Sequence, residues 1–152
     1  MDDVVKMEIR SVTESELTEI LDLIDSFDRL PAPRPDTMKL HDIYKSIQAS
    51  GGCVLGACID DKLVGTCTVN ICPNLSWSGR PYAMIENVIV AHGFRKQGLG
   101  KALLDYAVKH AKSKGCYKVA LMTGVKTSSV DRFYKRAGFS GDKLGYQIRF
   151  DA

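Results

Sequence analysis

The chain of 152 residues has no apolar run approaching the length of a membrane span. Its opening stretch, MDDVVKMEIR, starts acidic and lacks the apolar segment of a signal peptide. These absences make the cytoplasm the expected compartment, with no membrane partner. There is no C-x-x-C pair either. The five cysteines, Cys53, Cys58, Cys67, Cys72 and Cys116, are odd in number and stand mostly in apolar, strand-like runs. They read as small buried hydrophobes in a reducing compartment. His41, His92 and His110 do not join them at ligand spacing, so no metal is expected. Charge of one sign is also scarce. A net +3, with acids scattered among the bases, does not make the basic face of a nucleic-acid binder. It leaves a weak pull toward small anions. With no internal repeat and no linker, residues 1–152 read as a single domain.

What is present is a regular alternation of strand and helix signals. Lys6 to Val12 alternates as a strand. Thr13 and Glu16 form a capping box, and Leu17, Ile20, Leu21, Ile24 and Phe27 follow at helical spacing, predicting a helix to about Phe27. Three prolines in LPAPRP (30–35) break it. A second helix is predicted over Asp36 to Ser50. CVLGACI and LVGTCTVNI then flank Asp60-Asp61-Lys62 as a hairpin. CPNLSWSGRPY is a loop, AMIENVIV (83–90) a strand, and Leu99 to Ala111 a strongly periodic helix stopped by Gly115. CYKVALMT reads as a strand and Ser128 to Ala137 as a helix capped by Ser128 or Ser129. YQIRF (146–150) reads as a last strand. The order β-α-α-β-β-β-α-β-α-β implies a mixed-sheet α/β or α+β sandwich.

One stretch, FRKQGLGKALL (94–104), places two glycines and positive charge at the mouth of a helix. Gly98 and Gly100 carry no Cβ, so a ligand can approach their amides closely. First-turn N–H groups lack intrahelical partners and sit at the positive end of the helix dipole. A strand, a glycine loop and a helix start together suit a phosphate or pyrophosphate. Arg95, Lys96 and Lys101 add charge. The alternative is a tight strand-to-helix turn with solvated lysines. The spacing fits neither a Walker loop nor a Rossmann fingerprint.

The context narrows this. VIVAHGFRKQGLGKALL holds R-x-x-G-x-G between an apolar strand and a Leu/Ala helix. It resembles the acetyl-CoA-binding motif of the Gcn5-related N-acetyltransferase (GNAT) superfamily, with Arg95, Gly98 and Gly100 at the defined positions. RFYKRAGF (132–139) resembles the superfamily's F-Y-x-x-x-G-F segment, and the order of elements from Lys6 to Phe150 matches. The resemblance implies a central mixed sheet, splayed and flanked by helices, with acetyl-CoA in the gap. It implies that the backbone of Val88, Ile89 and Val90 meets the pantetheine arm. It also implies that Lys96, Gln97, Gly98, Leu99, Gly100 and Lys101 hold the pyrophosphate.

Acetyl transfer to an amine needs a base, an oxyanion donor and an acid for the leaving thiolate. Tyr134 matches the tyrosine that protonates the thiolate in many relatives; the alternative is packing beside Phe133. Glu86 matches a strand glutamate that acts as base in several. A carboxylate inside an apolar strand is costly unless paired or exposed to a cleft, and burial would raise its pKa. The alternatives for Glu86 are a solvent-facing position or a structural salt bridge. The backbone N–H near Val88 is the implied oxyanion donor. Where many relatives carry asparagine six residues before F-Y, this chain has Thr127, and Ser128 or Ser129 is left to meet the cofactor arm.

MIENVIV with GCYKVALMTG resembles the glucosamine-phosphate acetyltransferase branch. It departs at Asn87, where that branch has aspartate, and at Met122-Thr123. VKTSSVDRFY finds an echo in the aminoalkylphosphonate branch. A small-molecule amine is therefore the expected acceptor, with Arg34 and Arg80 pairing to an acidic group and Trp77 covering an apolar part. Each of these three has the alternative of an ordinary surface-loop residue. A peptide acceptor, or an acyl-CoA sensor without catalysis, are the competing functions. A homodimer is expected by analogy with relatives.

Overall fold

The capping box at Thr13 governs how the first helix leaves the sheet. A computed structural model describes residues 4–27 and 32–151. Within it β1 (Met7–Ser11) is followed by a 3-10 turn at Glu14–Glu16 and by α1 (Leu17–Asp25). The Thr13 N–H donates to Glu16 Oε1 at 2.8 Å. Arg10, on β1, grips the same carboxylate with both terminal nitrogens, at 2.7 and 2.8 Å. That fork ties strand to helix start and holds Glu16 down to about 2, against the opposing effect of partial burial. The helix ends two residues short of Phe27. Leu30 and Pro31, the first residues of the proline break, lie outside the described residues.

α2 (Thr37–Ala49) begins where Asp36 Oδ1 accepts the Lys39 N–H at 2.8 Å. Its Tyr44 hydroxyl donates to the carbonyl of Val12 at 2.8 Å. Val12, Leu17, Ile20, Val54, Cys58 and Leu63 form one core cluster, with Leu40, Tyr44 and Ile47 of α2 against it.

β2 (Cys53–Ile59) and β3 (Lys62–Cys72) form the expected hairpin. Asp60 and Asp61 both take left-handed φ, 47° and 67°, the pairing that a two-residue hairpin turn requires. After β3 comes α3 (Ser76–Gly79), a single turn in which Trp77 and Ser78 are left-handed. β4 (Tyr82–Val90) returns antiparallel to β3. A 3-10 turn at His92–Phe94 and α4 (Leu99–Ser113) lead to β5 (Val119–Leu121), which runs parallel to β4. The five strands lie in sequence order, β1 to β5, in a mixed open sheet.

β2 is buried from Cys53 to Cys58 without alternation, because both faces of the sheet are covered. Val54 and Cys58 join the cluster with α1 and α2. On the other parity, a Cβ placed at Gly65 would come within 3.3 Å of both Ala57 and Leu103 of α4. Leu99, Leu103, Leu104, Ala107 and Ala111 make the buried stripe of α4 that the spacing predicts.

The chain divides into two units, Met1–Leu121 and Met122–Ala152. The sheet and α1 to α4 belong to the first. The second holds α5 (Ser128–Arg136), ended by left-handed Gly138. Its cap is Thr127, not Ser128 or Ser129: the Thr127 hydroxyl accepts the Val130 N–H at 3.4 Å, which puts Ser128 inside the helix. The predicted last strand does not form. Residues 145–150 have no regular structure, and Tyr146, Ile148 and Phe150 stand 83 to 94% exposed. A two-residue apolar period specifies a strand only where a neighbouring strand and a covering face exist.

Candidate active site

β4 carries the first feature of the site. Glu86 stands opposite Thr68 and Ile89 opposite Thr66, so Asn87 and Val88 together face the single residue Cys67. That is a β-bulge, and Asn87 adopts φ 56° within it. Asparagine is among the few residues with a side chain that tolerate this region. The bulge takes the amides of Asn87 and Val88 out of the regular ladder and bends the strand. On its other side, β4 pairs with β5 only through Ala83, Met84 and Ile85. From Glu86 onward, main-chain groups on that edge have no strand partner among the described residues, and an extended polar ligand can take that place.

Glu86 itself is exposed, as is Asn87; Ile89 is buried. Burial is thus no part of Glu86's environment. The bulge turns the strand's polar residues outward, and the Glu86 carboxylate makes no hydrogen bond or ion pair among the described residues.

The loop after β4 carries the second feature. Arg95 Nε donates to the Val90 carbonyl at 3.0 Å, clamping the loop to the strand end. Lys96 takes φ 63° and Gly98 φ 81°. Left-handed residues interspersed in such a loop turn successive N–H groups toward one concavity, the arrangement known to hold anions. Gly98 is the N-cap of α4 and offers no side chain to it. The first helical bond is the Ala102 N–H to the Gly98 carbonyl, at 3.0 Å, which leaves the amides of Leu99, Gly100 and Lys101 without an intrahelical acceptor. A Cβ at Gly98 would meet nothing within 4 Å, so the space over the loop is open. Leu99, 1% exposed, pins the helix start to the core. Lys101 leans along the helix to Asp105, at 2.8 Å. Gln97 is exposed. Open amides at a positive helix end fit a diphosphate, and the unpaired edge of β4 fits an amide-bearing arm, as coenzyme A carries.

The remaining predicted residues are spread more widely. Arg34 donates to Asp22 and Asp25 of α1, each at 2.8 Å, and those carboxylates raise its pKa. Arg80 donates to the carbonyls of Gly115 and Cys116, at 3.1 and 2.9 Å, just past the C-terminal end of α4. Trp77 stacks on Tyr117 with ring centroids 5.3 Å apart. Arg80 and Trp77 therefore sit near the opposite end of α4 from the glycine loop, a separation of about 22 Å for fifteen helical residues. In the second unit, Tyr134 packs edge-on against Phe133 and Phe139, with centroids 5.0 and 6.2 Å away. Among the described residues no cluster of acids, histidines and cysteines could hold a metal ion.

Sequence reasoning missed the bulge as a conformational feature. Its one signal is an asparagine inside an otherwise apolar strand. Nothing in the sequence marks Lys96 as left-handed.

Four similarities bear on this geometry. The Acetyltransferase (GNAT) family profile matches residues 17–139. The glucosamine 6-phosphate N-acetyltransferase of Trypanosoma brucei brucei is 32% identical, with 99% of each chain covered. Among solved structures, a Trypanosoma brucei acetyltransferase superposes with a TM-score of 0.79 at 30% identity, covering 97% of this chain and 100% of that one. The glucosamine-6-phosphate N-acetyltransferase of Arabidopsis thaliana shares the fold, with a TM-score of 0.83 at 22% identity and 96% and 99% coverage.

Proposed function

The chain belongs to the GNAT acetyltransferase family, an acetyl-CoA-dependent acyltransferase, and from that premise we propose that it acetylates the primary amine of a small amino-sugar-like molecule by direct attack in a ternary complex. The observation that carries the reading is the open N-terminus of α4, capped by left-handed Gly98 and standing just beyond a bulged strand whose far edge is unpaired. The amides from Lys96 to Lys101 hold the pyrophosphate, and the edge of Val88 to Val90 bonds the pantetheine arm as an added strand would.

Four groups then divide the chemistry. Glu86, exposed beside the bulge, takes a proton from the acceptor ammonium directly or through water. The Val88 N–H, displaced from the ladder, donates to the oxygen that becomes negative at the tetrahedral stage. Asn87 orients the acceptor. The Tyr134 phenol returns a proton to the departing thiolate. Trp77 is the outer contact for an apolar part of the acceptor, whereas the guanidinium groups of Arg34 and Arg80 are engaged by Asp22 and Asp25 and by the carbonyls of Gly115 and Cys116 and brace their own loops. The named Trypanosoma relative makes glucosamine 6-phosphate the first acceptor to try. The protein acts in the cytoplasm as a homodimer, without metal, nucleic acid or membrane.

The test is thiol release from acetyl-CoA against amino sugars, their phosphates, aminophosphonates and peptides. Turnover is expected with the amino-sugar set and not with peptides; release with peptides alone would reverse the assignment. In the same assay Tyr134→Phe should lower kcat by about 100-fold while leaving coenzyme A affinity within about twofold. Unchanged turnover removes Tyr134 from the mechanism.

A further inference from the structure

Two threonines on β3 share a face of the sheet and differ in what their hydroxyls do. Thr66 is 1% exposed, and its hydroxyl donates to the Leu55 carbonyl of β2 at 2.7 Å. Thr68, two residues on and 9% exposed, has a hydroxyl with no hydrogen-bond partner among the described residues. A buried polar group left unpaired is costly, and valine would suit the strand without that cost. The hydroxyl is not sealed in. Among the described residues no enclosed side-chain nitrogen or oxygen lacks a partner, so the part of Thr68 still open includes this oxygen. The strand register shows where it opens. Thr68 stands between Val54 on β2 and Glu86 on β4. Residues directly opposite in antiparallel strands point to one face, with Cβ atoms roughly 5 Å apart. The row therefore runs from the core cluster, which holds Val54, through a hydroxyl to an exposed carboxylate. Glu86 also lacks a partner among the described residues, so two unpaired polar groups stand side by side where the core gives way to the open half of β4.

We infer that Thr68 is a positioning residue for acetyl transfer: its hydroxyl holds the water through which Glu86 takes the proton of the acceptor ammonium. One water spans a hydroxyl and a carboxylate at that separation. It accepts from the ammonium and from the Thr68 hydroxyl, which aims its own hydrogen at Glu86. As the water takes a proton from the nitrogen it passes one to the carboxylate, and Thr68 keeps its own. The inference rests on Glu86 as the base and adds the group that orients the relay.

The experiment measures kcat and KM by thiol release from acetyl-CoA, with glucosamine 6-phosphate and the other amino sugars as acceptors. Thr68→Val should lower kcat about tenfold with the KM for acetyl-CoA within about twofold, and Thr68→Ser should keep kcat within about twofold. A role in packing alone predicts the reverse, since serine loses a methyl group and valine does not. Thr66→Val is the control. It should keep kcat within about twofold yet lower the urea midpoint, whereas Thr68→Val, with no internal bond to lose, should leave the midpoint unchanged or raise it. Wild-type kcat in Thr68→Val, or a midpoint as low as that of Thr66→Val, would overturn the inference. Glu86→Gln separates it from the function beneath it. That change should lower kcat at least about 100-fold, and adding Thr68→Val should lower it no further. Wild-type turnover in Glu86→Gln, or no turnover of any amine by the wild type, would remove the proposed chemistry and this inference together. A slow Glu86→Gln that slows about tenfold more on adding Thr68→Val would remove the inference alone.

Discussion

Asn87 is a side-chain-bearing residue held where glycine is more at ease, at φ 56° in the middle of a strand. The bulge it makes separates the paired half of β4 from the unpaired half. Asn87→Gly keeps the conformation open and should leave folding stability within about 0.5 kcal/mol. Asn87→Val should cost about 1–3 kcal/mol in urea unfolding and lower acetyl-transfer turnover at least about tenfold, because a β-branched residue resists positive φ and pulls the strand back into register. Equal activity in both variants would show that the left-handed geometry has no part in the site. Gly98 makes a related case. Its φ of 81° and the open space over it lead to the expectation that Gly98→Val weakens coenzyme A binding by about tenfold in titration calorimetry, through strain and through the volume added where the diphosphate rests. Wild-type affinity would reduce the loop to a turn.

At the scale of elements, the anchoring of α1 has a pH signature. Glu16 titrates at about 2 in the folded protein, against an ordinary 4.5, chiefly through its bond to Arg10. A depressed carboxylate contributes stability that is fully present above about 4.5 and is lost as pH falls toward about 2. Glu16→Gln should therefore cost about 1–2 kcal/mol at neutral pH and flatten the acid limb of the stability curve, followed by urea melts between those limits. A parallel acid limb in the variant would assign the loss to other groups. The elements that the sequence made legible were those whose signals are local. The capping box at Thr13, the Asp60-Asp61 turn and the leucine stripe of α4 each depend on residues within a few positions. The illegible features depend on partners far along the chain. YQIRF reads as a strand because its period is right, but a ladder needs a neighbour. Arg80 reads as a loop residue free for an acceptor, yet its guanidinium bonds carbonyls thirty-five and thirty-six residues away. In the candidate site, the glycine loop was visible in the motif. The bulge was not, since one dihedral at Asn87 leaves only a faint mark in residue choice.

For the whole molecule, the mixed sheet is held by helices on both faces, and the stripe of α4 is among its most buried parts. Leu103 and Leu104 are each 0% exposed. Leu103→Ala should destabilise by about 2–5 kcal/mol and leave the thiol-release KM unchanged below the melting transition, because it opens a void under the sheet and touches no open edge. The five cysteines bear on how such assays are read. Cys53 is pushed up to about 11 and Cys67 to about 12 by burial, and burial also raises Cys58 and Cys116, leaving Cys72 half-buried. Thiol dyes react with the anion. The folded protein should thus offer such a dye no thiol other than Cys72, a fixed small blank, so that further colour developing in a reaction mixture reports product, and a sudden rise in an enzyme-only blank reports denaturation.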